Sequence, residues 1–215
     1  MGVTFDLFGT LVTVSRPADP AEAVAAELAE RGVDAPSDWA DAYAEMHVDA
    51  PEGAEVPLPA HVARALDSRG VDCPANAARR AVVAAFDPEV ETRDGARAAI
   101  EAAREHGPVG ICSNCSVPEL VGRTLVRADV SRDDFDAVVT SVGCGWRKPA
   151  PKIFEVAADR LGVAPSDLVH VGDDPATDGG NEAVGGTAIV LEDGESGGES
   201  LETLPRRFEG GGLWE

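Results

Sequence analysis

Between Asp94 and Leu191 the chain alternates short apolar runs with helix-length segments, and no other feature restricts its fold so strongly. Val109-Gly110-Ile111-Cys112, Ala137-Val138-Val139-Thr140, Leu168-Val169-His170-Val171 and Ala188-Ile189-Val190-Leu191 read as short buried strands. Asp94 is placed to cap a helix that turns Ala96, Ala99, Ile100 and Ala103 inward and stops at Gly107-Pro108. Further helices are expected over 118–127, over 151–161 behind an opening proline, and weakly over 177–184. An earlier strand, Gly2 to Phe5, runs into Asp6 and a Gly9-Thr10 turn. Strands separated by helices predict the α/β class: a parallel sheet core with helices on both faces.

From 14 to 88 the pattern is different. Val24 with Leu28, Val62 with Ala65 and Leu66, and Ala78 with Val82 and Phe86 recur at helical spacing. Pro51-Glu52-Gly53, Gly70 and Pro74 punctuate the helices, and no strand is expected among them. The expected organisation is a discontinuous core over 1–13 and 89–191, an all-α insert over 14–88, and a tail over 192–215. That tail is rich in Gly, Glu and Ser and is expected to pack loosely, with a short helix near 201–206.

Charge narrows the function classes. The 215 residues include 39 acidic and 18 basic side chains, for a formal net charge of -21. Such a surface repels nucleic-acid phosphates and anionic membranes. No apolar run reaches the length of a membrane span, and the N-terminus lacks the pattern of a signal peptide. Four cysteines are too few for a disulfide scaffold, so a cytoplasmic location is expected, as a monomer or weak homodimer. Only Lys148 and Lys152 are lysines; every other basic residue is arginine. Dense carboxylates with scarce lysine predict a halophilic protein whose self-repulsion is screened by high salt.

Polar residues follow successive strands in register: Asp6, then Ser113 and Asn114, then Thr140 and Ser141, then Asp173 and Asp174. In open parallel sheets the carboxyl ends of the strands form the binding crevice, so these groups are expected to converge. Lys148 follows the third strand and can reach the same place. Its survival as one of two lysines suggests that a compact ammonium is required there.

Four blocks in order resemble the haloacid dehalogenase superfamily of hydrolases. They are Phe5-Asp6-Leu7-Phe8-Gly9-Thr10-Leu11, Gly110-Ile111-Cys112-Ser113-Asn114, Arg147-Lys148-Pro149-Ala150-Pro151-Lys152-Ile153-Phe154, and Val169 through Gly172-Asp173-Asp174 to Asp178. The resemblance implies a Rossmann-like core with a helical cap over 14–88. It implies that Asp6 is the nucleophile and that Mg²⁺ is held by Asp6, the backbone carbonyl of Phe8 and Asp173. Ser113, the backbone near Leu7 and Phe8, Gly9, Thr10 and Asn114 would bind phosphoryl oxygens, and Lys148 would orient Asp6. Asp178 would support the metal ligands from outside, and Asp174 would be a further ligand or a supporting acid. The implied partner is a small phosphorylated substrate.

One position departs from that pattern. Phosphatases of the superfamily carry a second Asp two residues after the nucleophile, which protonates the leaving group. This chain has Phe8 there. The superfamily's haloacid dehalogenases also have an aromatic residue at that position but lack the acids of the fourth block. Retention of Asp173, Asp174 and Asp178 favours phosphate chemistry; a dehalogenase or a catalytically weakened ligand-binding protein are the alternatives. Cys112-x-x-Cys115 has redox or zinc spacing, but Cys112 ends a strand and the pair brackets Ser113, so a packing role is expected. Cys115 and Cys144 are expected near the crevice, where they would make it thiol-sensitive. His170 is expected to be packed, Trp39 and Tyr43 to fill the insert, and Arg16 and Trp146 to face substrate or solvent.

Overall fold

A strand buried on both faces needs partners above and below it, and β4 (Val109–Ser113) shows how this is met. Ile111 joins a cluster shared with the helical insert, while its neighbour Cys112 joins a second cluster with Ile153 and Phe154. The computed structural model describes residues 1–74, 76–192 and 199–210. Its main sheet also contains β1 (Gly2–Phe5), β5 (Ala137–Thr140), β6 (Leu168–Gly172) and β7 (Thr187–Val190). All five strands are parallel, in the order β5-β4-β1-β6-β7. Chain direction along the sheet therefore reverses at β1, between β4 and β6, and this switch point is where a crevice opens in doubly wound sheets.

Helices α5 (Ala96–Arg104), α6 (Leu120–Arg127) and α8 (Pro151–Leu161) connect the strands. Ala96, Ala99, Ile100 and Ala103 are buried as their spacing predicts. The residue before α5 is Gly95 in the left-handed conformation, so Asp94 does not cap it as expected. Short α7 (Ser141–Cys144) follows β5, and α9 (Pro175–Asp178) leads into a 3-10 turn through Val184.

The insert holds α1 (Pro20–Ala29), α2 (Trp39–Ala44), α3 (Leu58–Asp67) and α4 (Ala77–Ala85). Trp39 and Tyr43 pack edge to face at 5.6 Å, and the Trp39 indole donates to Ala21 O at 2.8 Å. Two short strands were not expected from the sequence. β2 (Val12–Val14) and β3 (Val90–Thr92) pair antiparallel where the chain leaves and rejoins the core. Each has only three residues and is stable only as part of the pair.

The insert does not have a separate core. One hydrophobic cluster runs from Phe5 and Ile111 in the sheet to Leu28, Leu66 and Val82 in the helices. Backbone bonds also tie the 53–58 segment to core loops: Arg147 N–H donates to Gly53 O, Glu55 N–H to Gly145 O and Leu58 N–H to Ser116 O. The insert thus rests on the loops that follow β4 and β5.

The tail carries the expected short helix, α10 (Leu204–Glu209), but it packs against α5 and not loosely, with Leu201, Leu204 and Phe208 buried. The remaining tail, 193–198 and 211–215, lies outside the described residues. Among the described residues no helix is long and apolar enough to cross a membrane.

The acid excess has a measurable consequence. The Debye length falls from about 10 Å at 0.1 M salt to about 3 Å at 1 M, so repulsion among the 39 acids is screened in concentrated salt. The thermal unfolding midpoint is expected to rise by several degrees between 0.1 and 3 M KCl. A midpoint that stays flat or falls would remove the halophile reading.

Candidate active site

Asp6 follows the last residue of the central strand, and its backbone N–H continues the sheet by donating to Val171 O at 2.8 Å. Its side chain is largely buried, with Oδ1 accepting from Leu7 N–H at 2.8 Å and lying 3.2 Å from Lys148 Nζ. Burial raises the Asp6 pKa from its ordinary value, Lys148 opposes the rise and Asp178 adds to it.

Lys148 is only 1 % exposed, an extreme for lysine that requires partners. Its ammonium sits 2.5 Å from Asp178 Oδ1, besides Asp6. Burial disfavours the charged ammonium, but Asp6 and Asp178 outweigh it and raise the Lys148 pKa. Asn114 fixes the backbone that carries Lys148: its amide donates to Lys148 O at 3.0 Å and its Oδ1 accepts from Lys148 N–H at 2.7 Å. Asn114, expected on phosphate, holds the lysine loop through these two bonds.

Asp178 is fully buried at the end of α9, with Oδ1 shared by Lys148 and by His170 Nε2 at 2.9 Å. Oδ2 accepts from Asp174 N–H at 3.0 Å. Burial alone would raise the pKa of Asp178, but the His170 and Lys148 contacts win and hold it well below the usual carboxylate range. His170 is packed, as expected, and also belongs to a polar relay that the sequence reading missed. Its Nδ1 lies 3.0 Å from Thr4 Oγ1, and burial followed by Lys148 lowers its pKa, which favours the neutral ring. Thr4 and His170 face each other in the β1–β6 register. One polar residue in each of two apolar central strands was the signal available in the sequence.

Thr10 was expected on phosphate too. Its buried hydroxyl instead donates to Asp173 Oδ1 at 2.7 Å and so aims that carboxylate. Gly9 adopts φ +91°, and a side chain there would overlap the Asp173 carboxylate. Asp174 Oδ1 caps Ala176 N–H and its Oδ2 accepts from Thr177 Oγ1, so this side chain opens α9 beside Asp173. Glycine is needed at 172 because a Cβ would strike the Asp178 carboxylate.

Asp6, Asp173 and Asp178 each offer a carboxylate oxygen, and these oxygens lie within 4.8 Å of one another. Three carboxylates face one ammonium, which leaves a charge deficit that a divalent cation would balance. An all-oxygen donor set suits a hard ion such as Mg²⁺. Ser113 Oγ, at the end of β4, is buried with no hydrogen bond of normal geometry, although it is near enough to favour Asp6 ionisation. Phe8 N–H also has no partner among the described residues.

Cys112, Cys115 and Cys144 are not activated thiols. Burial pushes Cys112 up to about 12 and Cys115 up to about 11, and it also raises Cys144. Trp146 lies in the loop bridge to Ala54, and Lys152 pairs in the open with Glu155 at 2.9 Å. Arg16 lines a cavity of about 170 Å³ beside Phe8 and Asn114.

Together these features define a class: a doubly wound α/β hydrolase with a carboxylate, a buried lysine and a cation-ready acid cluster at its switch point. The chain belongs to the haloacid dehalogenase-like hydrolases, whose family model matches residues 1–180. It is 39% identical over 85 residues to N-acylneuraminate-9-phosphatase of Rattus norvegicus, covering 39% of this chain and 34% of that protein. Matched segments span less than half the length of the curated relatives. The fold is shared with a Bacteroides thetaiotaomicron HAD family enzyme crystallised with magnesium and inorganic phosphate (TM-score 0.59, 17% identity, 91% and 96% coverage). It is shared equally with a 2-haloacid dehalogenase from Pseudomonas syringae pv. Tomato DC3000 (TM-score 0.60, 21% identity, 95% and 96% coverage).

Proposed function

We propose that this protein is a Mg²⁺-dependent cytoplasmic phosphatase that cleaves a small phosphorylated metabolite through an aspartyl-phosphate on Asp6. The observation that carries this reading is the approach of Lys148 Nζ to Asp6 Oδ1 at 3.2 Å beside the clustered oxygens of Asp173 and Asp178. Asp6 attacks phosphorus, the bond to the leaving oxygen breaks, and that oxygen takes its proton from water because Phe8 cannot supply one. Water then attacks the phosphorus of the acyl phosphate, releasing inorganic phosphate and restoring Asp6. Ser113 Oγ and Phe8 N–H are donors free to receive phosphoryl oxygens. Lys148 holds Asp6 and adds positive charge, and Asp178 with His170 keeps Lys148 in place. Mg²⁺, bound by Asp6, Asp173 and the Phe8 carbonyl, would neutralise charge between nucleophile and phosphate. The helical insert over the crevice favours small substrates and limits water.

Asp6→Asn is expected to abolish phosphate release from a panel of phosphate esters, and EDTA is expected to do the same to the wild type. Release that survives either treatment would sink the proposal. Phe8 favours one competing reading, hydrolysis of a carbon–halogen bond, which predicts halide release from short haloacids without Mg²⁺. A third possibility, a binding protein, predicts ligand binding with no turnover on either panel.

A further inference from the structure

Beside the site lies a cavity of about 170 Å³, walled by Phe8, Val14, Phe86, Val117 and Leu120, with Arg16 among its lining residues. It adjoins the proposed phosphoryl position through Phe8, which belongs to both, and Asn114, which holds the Lys148 loop, also lines it. A leaving group displaced from phosphorus by Asp6 could extend into this space past Phe8. The cavity is open to solvent on one side and includes Ser15, Asn114, Cys115 and Ser116 in its lining; an apolar cavity of about 150 Å³ takes a benzene-sized ring, so this volume has room for one ring whose far end reaches the opening.

Arg16 makes no ion pair or hydrogen bond among the described residues, and it is exposed. What sets Arg16 apart from the other arginines without such a partner, Arg80, Arg147, Arg160 and Arg206, is its place: it lines the cavity beside Phe8, in a chain with 39 acids for 18 basic groups whose other arginines often pair. Arg69 holds both Asp38 and Glu45, Arg123 and Arg127 share Asp87, and Arg31 holds Glu27. Glu55 is near enough to Cys115 to act on it, as Arg16 does, but it does not line the cavity. An unpaired guanidinium at the edge of a pocket walled mainly by apolar side chains, in a strongly negative protein, is suited to receive an anion at the far end of a ligand. We propose that Arg16 selects the substrate: its leaving group is a single apolar, ring-sized body bearing a carboxylate that accepts from the Arg16 guanidinium. This inference rests on the phosphatase reading for the reaction but not for the binding.

The test compares phenyl phosphate with 4-carboxyphenyl phosphate, using the full chain with saturating Mg²⁺ at one fixed KCl concentration. A charge-assisted contact at a partly solvated site is worth on the order of tenfold, read in KM and in the kcat/KM ratio of the two esters. The wild type is expected to prefer the carboxylated ester by that factor. Arg16→Met is expected to erase the preference, and Arg16→Lys to restore part of it. No preference in the wild type, or an Arg16→Met variant that keeps the same ratio, overturns the inference. If neither ester is hydrolysed, the phosphatase reading fails, and calorimetry with phenylphosphonate and 4-carboxyphenylphosphonate decides the pocket. An Arg16-dependent preference for the carboxylated phosphonate then supports the inference, and equal binding overturns it.

Discussion

Phe8→Asp is expected to raise the turnover of alkyl phosphates by about 10² to 10⁴-fold, the usual contribution of general acid–base catalysis. Aryl phosphates should gain least, because their leaving oxygens depart without protonation. The structure gives the replacement a suitable position. Phe8 is half-buried, two residues from Asp6, and lines the cavity where a leaving group would sit. A carboxylate there could protonate the leaving oxygen and then deprotonate the attacking water. The new charge adds to Asp6, Asp173 and Asp178, so the variant should lose some stability without metal and depend more steeply on Mg²⁺. Steady-state kinetics on a matched alkyl and aryl pair, in both proteins at saturating Mg²⁺ and high KCl, would decide it. Efficient hydrolysis of the alkyl ester by the wild type, with no gain in the variant, would mean that another residue supplies the proton.

Replacing Lys148 should cost both turnover and stability. Lys148→Arg keeps the charge but inserts a planar, larger group where Nζ has Asp178 at 2.5 Å, Asp6 at 3.2 Å and His170 at 3.4 Å around it. Turnover is expected to fall on the order of 10², the scale of losing one preorganised contact, and overpacking should cost about 1–3 kcal/mol of stability. Lys148→Met should cost more stability, about 3–5 kcal/mol, because the buried Asp178 carboxylate loses its cation. Lys152→Arg, on an exposed side chain paired only with Glu155, should change neither quantity. Urea unfolding together with phosphate-release kinetics on the three variants would check all of this; equal effects at 148 and 152 would contradict the role given to Lys148.

The main sheet was legible because its strands are written in local terms. A strand covered on both faces needs a mostly apolar run, and Gly2–Phe5, buried at every position, begins and ends where that pattern does. Asp6, Ser113 and Asp173 were legible because the first polar residue after such a run must emerge at the sheet's carboxyl edge. Lys148 was legible from its rarity. The helical stripes of the insert were equally local, since burial at spacing three and four identifies a helix without knowledge of what covers it.

Other features depend on partners far away in the chain. β2 and β3 are three-residue strands separated by the whole insert, and neither carries a strand pattern apart from the other. Leu201, Leu204 and Phe208 look like scattered apolar residues in an acidic tail until α5 presents a face to cover them. Asn114 and Thr10 were expected on phosphate because both lie in the crevice, but a side chain's orientation is set by the nearest strong partner. For Asn114 that partner is the Lys148 backbone, 34 residues on, and for Thr10 it is Asp173, 163 residues on. The sequence by itself determined the class of fold, the edge on which chemistry is possible and the residues available there. Only the tertiary structure decided which of them hold one another, joining Thr4, His170, Asp178 and Lys148 to Asp6, because hydrogen bonds between distant residues exist only once strand register and helix docking bring them within about 3 Å.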